Sequence, residues 1–189
     1  MIRAPIPFVV LVAVALLSGS RARAEGDFSE LFASGSGYTL VNLHPDEVRH
    51  KLYAVNYLQP GLIPLCSKVR FVSFERKKMV FQVESSGIEY RYDYHKAAVV
   101  PFEKHLSRYF GSKCDRSAVS KLGPVDQRGI EMGQVLAGMS KEGTIFAIGY
   151  PPPHKTPSLE MNEWRYWKNR FNTILVTFDE HGKVIGIQD

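Results

Sequence analysis

The hydrophobic pattern of the chain changes period twice. From Tyr38 to about His95 it has the two-residue alternation of half-buried strands: Val69, Phe71, Ser73 and Glu75 alternate with Arg70, Val72 and Phe74. MVFQV (79–83) and IEYRYDY (88–94) follow, on either side of Glu84-Ser85-Ser86-Gly87, a turn sequence. Tyr38–Leu43 and Tyr53–Leu58 supply two further strands, punctuated by His44-Pro45-Asp46 and Gln59-Pro60-Gly61. About five short strands in so short a stretch predict a small curled sheet or an SH3-like barrel.

Beyond His95 the period lengthens. Pro101–Phe110 reads as a helix, with proline in its first turn, Leu106, Tyr109 and Phe110 on one apolar side, and Gly111 as a stop. Ser112–Val119 has the composition of a hinge. Leu122–Gly138 is glycine-rich, and a short strand at Ile130 or at Gln134–Leu136 is expected there. The next helix, Lys141–Ile148, has Ser140 as N-cap, Glu142 in its first turn, Gly149 at its end and Pro151 to prevent its resumption. Gly143 inside it costs about 1 kcal/mol relative to alanine, so this helix must depend on the packing of Ile145, Phe146 and Ile148.

The last quarter returns to alternation. Trp164 and Tyr166 point one way, Arg165 and Trp167 the other; Ile174, Val176 and Phe178 share a face, and Asp179–Gly182 turns into Val184–Ile187. One face of that three-stranded meander packs on the helix and the other is the functional candidate. The fold class is therefore α+β: a β-rich unit (38–116) ending in a helix, then a short-helix and three-stranded antiparallel unit (117–189).

The N-terminus changes the picture of charge. Met1–Ala24 has the parts of a secretory signal: Arg3, an apolar run Phe8–Leu17, and Ala22-Arg23-Ala24 before Glu25. Cleavage between Ala24 and Glu25 predicts a periplasmic or secreted protein; an uncleaved anchor is the competing reading. The apolar run is well short of the roughly 20 residues that span a bilayer. Ser20 stands where a lipoprotein would carry cysteine, so no lipid anchor is expected. Residues 25–37, with Gly35-Ser36-Gly37, read as a flexible lead-in. The formal charge of +5 includes Arg3, Arg21 and Arg23; without them 21 basic residues face 19 acidic ones. That balance argues against a nucleic-acid partner. Lys68, Arg70, Arg76, Lys77 and Lys78 cluster about a hairpin turn, either as a solvated turn or as a contact for anionic lipid or cell wall.

In order, GMSKE (138–142), a short helix, GYP (149–151), a TPSL insert (156–159), WRYW (164–167) and FDEHGKV (178–184) resemble the SmpA/OmlA family of BamE-like domains. The resemblance covers about Gly129 to Ile187. It implies a small helix-and-sheet module of the cell envelope without enzymatic activity, and as partners an envelope protein or outer-membrane assembly component. Family members are lipoproteins, from which this chain departs at Ser20, and a minimal member lacks the β-rich N-terminal part.

Candidate chemistry is sparse. The six histidines (44, 50, 95, 105, 154 and 181) show no HxH or HExxH spacing, and there is no CxxC, GxSxG or phosphate loop, so no catalytic residue, metal or cofactor is assigned. Cys66 and Cys114 can form a disulfide in an oxidising compartment or remain as buried thiols. A Cys/His hydrolase using Cys66 or Cys114 with His95 or His105, an enzyme inhibitor, and a cell-wall module are the alternative functions. Trp164, Tyr166, Trp167 and Arg170, with Phe171, form the densest aromatic and arginine group, the residue types that dominate binding hot spots. Tyr150 and His154 bracket a stiff run of three prolines that leads to them. These six residues, Trp164, Tyr166, Trp167, Arg170, Tyr150 and His154, are the candidate binding set.

Overall fold

The computed structural model describes residues 28–189, so the predicted leader and residues 25–27 lie outside the described residues. The fold is mixed α+β, with a curled six-stranded sheet and a separate three-stranded antiparallel sheet accompanied by helices. The large sheet has the order β2-β5-β4-β3-β1-β6. Its strands are β1 (Ser36–Thr39), β2 (Lys51–Tyr53), β3 (Lys68–Glu75), β4 (Lys78–Val83), β5 (Glu89–Asp93) and β6 (Phe110–Gly111). β2 runs parallel to β5 and all other pairs are antiparallel.

Alternation sets the inner face of this sheet, with one interruption. Val69 and Phe71 of β3 and Met79, Phe81 and Val83 of β4 are buried. A bulge between Phe71 and Ser73 then advances the register, so that Phe74 pairs with Met79. Strict alternation had put Phe74 outside with Arg70 and Val72. The bulge turns it inward, where its ring meets Phe28 at 5.2 Å, Phe32 at 5.6 Å and Phe102 at 6.0 Å.

That aromatic cluster accounts for the first difference from the sequence reading. Residues 28–37 are not a loose lead-in: helix α1 (Phe28–Ala33) packs Phe28 into the core, and β1 pairs with β3 and β6. The helix expected over Pro101–Phe110 is shorter, as α2 (Phe102–Leu106), because Phe110 and Gly111 pair with Thr39 and Tyr38 instead. Tyr53–Leu58 does not continue as a strand, since Asn56 adopts a left-handed backbone with φ 51°. The supposed hinge at 112–119 contains Cys114, bonded to Cys66, and the start of α3 (Arg116–Ser120), whose N-cap Asp115 accepts from the Ser117 amide.

The glycine-rich stretch is a helix rather than a strand. α4 (Pro124–Met132) begins with proline and ends at Gly133 in the left-handed region, and its buried residues Asp126, Gly129 and Ile130 follow helical spacing. It packs against α5 (Lys141–Ile148), the helix anticipated from sequence. Ser140 caps α5 by accepting from the Gly143 amide at 2.9 Å. The buried Asp126 carboxylate in turn accepts from the Ser140 amide at 2.7 Å and from its hydroxyl at 3.1 Å. A Cβ on Gly143 would stand 2.0 Å from Asp126 Oδ1, so glycine is there to admit the carboxylate.

The small sheet, β7 (Glu163–Trp167), β8 (Thr173–Phe178) and β9 (Val184–Gln188), turns Trp164, Tyr166, Val176, Phe178 and Val184 inward. One hydrophobic cluster runs from Phe28 through Phe146 to Val184, so the units expected over 38–116 and 117–189 share a core. Buried side chains tie them together. Asn42 Nδ2 donates to Ile130 O at 2.7 Å and to Ala147 O at 3.2 Å, His44 Nε2 donates to Ala147 O at 3.0 Å, and Asn56 Nδ2 donates to Ile148 O at 2.8 Å and to Tyr150 O at 2.9 Å.

Two outcomes follow from these contacts. Helix propensity alone makes Gly143→Ala stabilising by about 1 kcal/mol, whereas the displaced Asp126 carboxylate makes it destabilising by about 2 kcal/mol or more; urea unfolding of the variant gives the sign. Reducing Cys66–Cys114, which closes a separation of 48 residues, lowers the unfolding free energy by about 2–4 kcal/mol, measured by urea unfolding with and without reductant.

Candidate functional site

Strand β7 divides the candidate residues between two sides. Trp164 and Tyr166 are 0% exposed, and the Tyr166 hydroxyl donates to Gly149 O at 3.1 Å. They belong to the core, and their place in a surface binding set is corrected accordingly: the inward face of β7 packs on α5 and the loop that follows it. Arg165 and Trp167 are on the outer face, where Arg165 Nη1 donates to Thr173 Oγ1 at 3.2 Å on β8.

Trp167 is fixed by the proline connector. Pro151 and Pro152 are buried and lead the chain round until His154 meets Trp167. The indole Nε1–H donates to His154 Nε2 at 3.2 Å, and the two rings lie within 19° of parallel. Lys155 Nζ stands 5.2 Å from the centre of the same indole. Sequence spacing of thirteen residues does not suggest this pairing; the stiffness of the prolines and the direction of β7 produce it.

The same strand end also meets the segment that follows β2. Tyr57 bridges Trp167 in parallel, the Leu58 amide donates to Trp167 O at 2.8 Å, and the Gln59 side-chain amide donates to Lys168 O. Tyr57 brings Tyr53 with it, ring centres 5.1 Å apart, and Lys51 Nζ lies 4.7 Å from the Tyr53 ring. Beyond Trp167 the chain turns sharply because Asn169 Oδ1 accepts from the amides of Phe171 and Asn172. That turn presents Arg170, whose guanidinium is 4.7 Å from the Phe171 ring, and leaves Phe171 77% exposed. The site is thus a stripe of aromatic rings and cations across the seam: Tyr53 and Tyr57 from the large unit, His154 and Lys155 from the connector, Trp167 from β7 and Arg170 from the turn that follows it.

Charge is unevenly compensated along this stripe. Lys51 is paired with Asp93 at 2.7 Å, and the same carboxylate takes Arg91 at 2.6 Å. Lys155 and Arg170 have no carboxylate partner among the described residues. In the basic hairpin Lys68, Arg70 and Lys78 are engaged by Glu84, Gln82 and Glu75, while Arg76 and Lys77, which have no carboxylate partner among the described residues, make no cation–ring contact of the kind that Lys155 and Arg170 make. Unpaired cations beside flat, half-buried rings suit an anionic partner with apolar surface.

His154 is the titratable member of the stripe. Indole nitrogen can only donate, so His154 Nε2 carries no proton and the ring is neutral in this arrangement. Burial first, then the neighbouring charges of Lys155 and His95, lower its pKa below the ordinary 6.5, against the opposing effect of a hydrogen bond to the Ala97 backbone.

The remaining candidates have structural places. Tyr150 is away from the stripe, with its ring against Tyr109 and Arg108 and its backbone N–H donating to the Tyr109 hydroxyl oxygen at 3.3 Å. Cys66 and Cys114 are bonded to each other, so neither is the thiolate a Cys/His hydrolase needs. His105 is buried, shares a hydrogen bond of 2.9 Å with the Tyr92 hydroxyl, and has its pKa lowered to about 3 by burial: it is a neutral core histidine. His95 caps a 3-10 turn over Lys96–Ala98 by accepting from the Ala97 amide. Sequence reasoning missed Tyr53, Tyr57 and Lys155. No sequence signal marks them: that Tyr53 and Tyr57 flank the buried run Ala54–Asn56 and so emerge together is a property of the fold.

Comparison of the chain with family models, with curated proteins and with solved structures finds no match.

The His154–Trp167 bond gives the site a pH dependence. It is intact above the ordinary imidazole value and is lost as pH falls through the lowered folded-state pKa, because protonated Nε2 accepts nothing. Trp167 emission is expected to titrate with a midpoint below 6.5, over a constant background from buried Trp164. An identical titration in His154→Ala would contradict the assignment.

Proposed function

We propose that the chain is a non-enzymatic binding or scaffold protein of the bacterial cell envelope, periplasmic or secreted after cleavage at Ala24/Glu25, that engages an acidic partner along the seam stripe. The observation that carries this reading is the convergence of Trp167, His154, Lys155, Arg170, Tyr53 and Tyr57 from three separate segments, with Lys155 and Arg170 lacking a carboxylate partner among the described residues. Rings that bury area and cations that await a counter-charge are the composition of binding hot spots rather than of a solvated turn.

The location rests on the signal-like leader, and the class of work on the resemblance of residues 129–187 to BamE-like domains. In that reading α5 with β7–β9 is the BamE-like module, and the curled sheet is an added unit that supplies Tyr53 and Tyr57 to its face. No helix among the described residues is long and apolar enough to cross a membrane. The partner is an envelope protein or outer-membrane assembly component that presents carboxylates; anionic lipid and cell wall are the other sources of negative charge.

Immobilised protein lacking residues 1–24 should capture a partner from envelope extract. Capture should fall at least about fivefold for Lys155→Ala/Arg170→Ala and for Trp167→Ala, and should weaken as salt rises from about 50 to about 500 mM. Partners retained undiminished by these variants would remove the seam from consideration.

A further inference from the structure

His154 and Trp167 are joined by a hydrogen bond that only the neutral imidazole allows. The indole Nε1–H donates to His154 Nε2 at 3.2 Å, with the two rings within 19° of parallel. Unlike Trp164 and Tyr166 on the same strand, this pair is open to an incoming group: His154 and Lys155 are exposed and Trp167 is half-buried. The other groups that bear on the imidazole are Lys155 on the connector and, from the turn over Lys96–Ala98, His95 and the Ala97 backbone. Lys155 Nζ also stands 5.2 Å from the centre of the indole. No carboxylate among the described residues pairs with His154 or Lys155.

Protonation changes what the pair can hold. Imidazolium carries N–H on both ring nitrogens and accepts nothing, so an N–H on His154 Nε2 stands against the indole N–H and the two repel. An acceptor that both donors can reach removes the conflict. A carboxylate fits best, because its two oxygens accept from neighbouring donors together and its charge answers that of the imidazolium; such charge-assisted bonds are about twice as strong as neutral ones. Toward neutral His154 the same carboxylate is poorly matched: it competes with Nε2 for the indole N–H and faces the nitrogen lone pair.

We propose that His154, Trp167 and Lys155 form a proton-coupled carboxylate site, in which an aspartate or glutamate side chain of the acidic partner accepts from the Trp167 indole N–H and from His154 Nε2–H beside the Lys155 ammonium, so that binding takes up a proton from solvent. The inference rests on the seam being the binding face, and adds the ligand group and its pH dependence. The sign follows from linkage. Burial, then the charges of Lys155 and His95, hold the free imidazole below its ordinary 6.5. A bound carboxylate favours the charged ring and raises that value, so affinity grows as pH falls through the interval between the bound and free values, and levels off below it.

The protein lacking residues 1–24 is titrated with acetyl-tetra-aspartate amide at low salt, while the Trp167 indole N–H and the His154 ring protons are followed by NMR. The peptide carboxylates, with pKa values of about 3.9, remain ionised at a pH of about 5.5. At that pH the peptide should bind at least about threefold more tightly than at a pH of about 7.5. Its presence should move the midpoint of the His154 titration upward by the matching amount. In His154→Gln, whose side chain can still accept from the indole, affinity should be the same at the two pH values, and acetyl-tetra-asparagine amide should leave the Trp167 and His154 signals in place. Equal affinity at the two pH values in the unaltered chain, or a pH dependence that survives in His154→Gln, overturns the inference and leaves the seam as the binding face. No saturable shift at either pH also overturns it, and capture by the Lys155→Ala/Arg170→Ala variant then decides the seam separately.

Discussion

The arrangement of the whole molecule depends on how the C-terminal end of α5 is satisfied. A helix leaves its last carbonyls without intrahelical partners, and here that end is buried. The partners come from residues 42–56, a stretch outside the helix's own unit: the Asn42 amide takes Phe146 O, Asn42 and His44 side chains take Ala147 O, and Asn56 takes Ile148 O. Buried asparagines and a histidine are costly unless fully bonded, so the two units can meet in one relative position and few others. Asn42 closes the arrangement by also holding Ile130 O of α4 and accepting from the Leu65 amide. His44 is accordingly held neutral, its pKa lowered by burial.

The seam site is a consequence of that docking. Asn56 reaches Ile148 O and Tyr150 O from a left-handed backbone position, and that kink throws Tyr57 and Leu58 against the end of β7. The proline run after Tyr150 leaves the same place and returns His154 and Lys155 over Trp167. One cluster of buried amides thereby positions both the connector and the tyrosine pair, and an aromatic stripe results that neither unit has alone.

Much of the local structure was legible from the sequence. The strands β3, β4 and β5, the capped helix α5 and the β7–β9 meander all followed from period, turn residues and the Ser140 cap. Illegible were the features in which a distant contact outweighed local preference. Gly143 looked like a helix-weakening residue and Gly129 lay in a glycine-rich stretch expected to hold a short strand, yet Gly129 lies against Met139 and Gly143 against the Asp126 carboxylate, so both glycines are there for packing. Phe110 continued an apolar helix pattern but pairs with Thr39 in the sheet. Phe74 was assigned outward by alternation, and a single bulge reversed it. In the site, the sequence pointed at WRYW and at His154, while the partners Tyr53, Tyr57 and Lys155 carried no marker that distinguished them from ordinary surface residues.

By itself the sequence determined what depends on neighbours along the chain: the periodicity of most strands, the ends of α5, and the opposite facing of Trp164 and Trp167, which is unavoidable at a spacing of three in a strand. The tertiary structure alone decided which of the two faces became core, which cations meet aromatic rings, and that Cys66 meets Cys114. The reason is the same in each case. Burial, pairing and hydrogen-bond satisfaction are properties of groups brought together across many residues, and the Asn42, His44 and Asn56 contacts to α5 are what bring them together here.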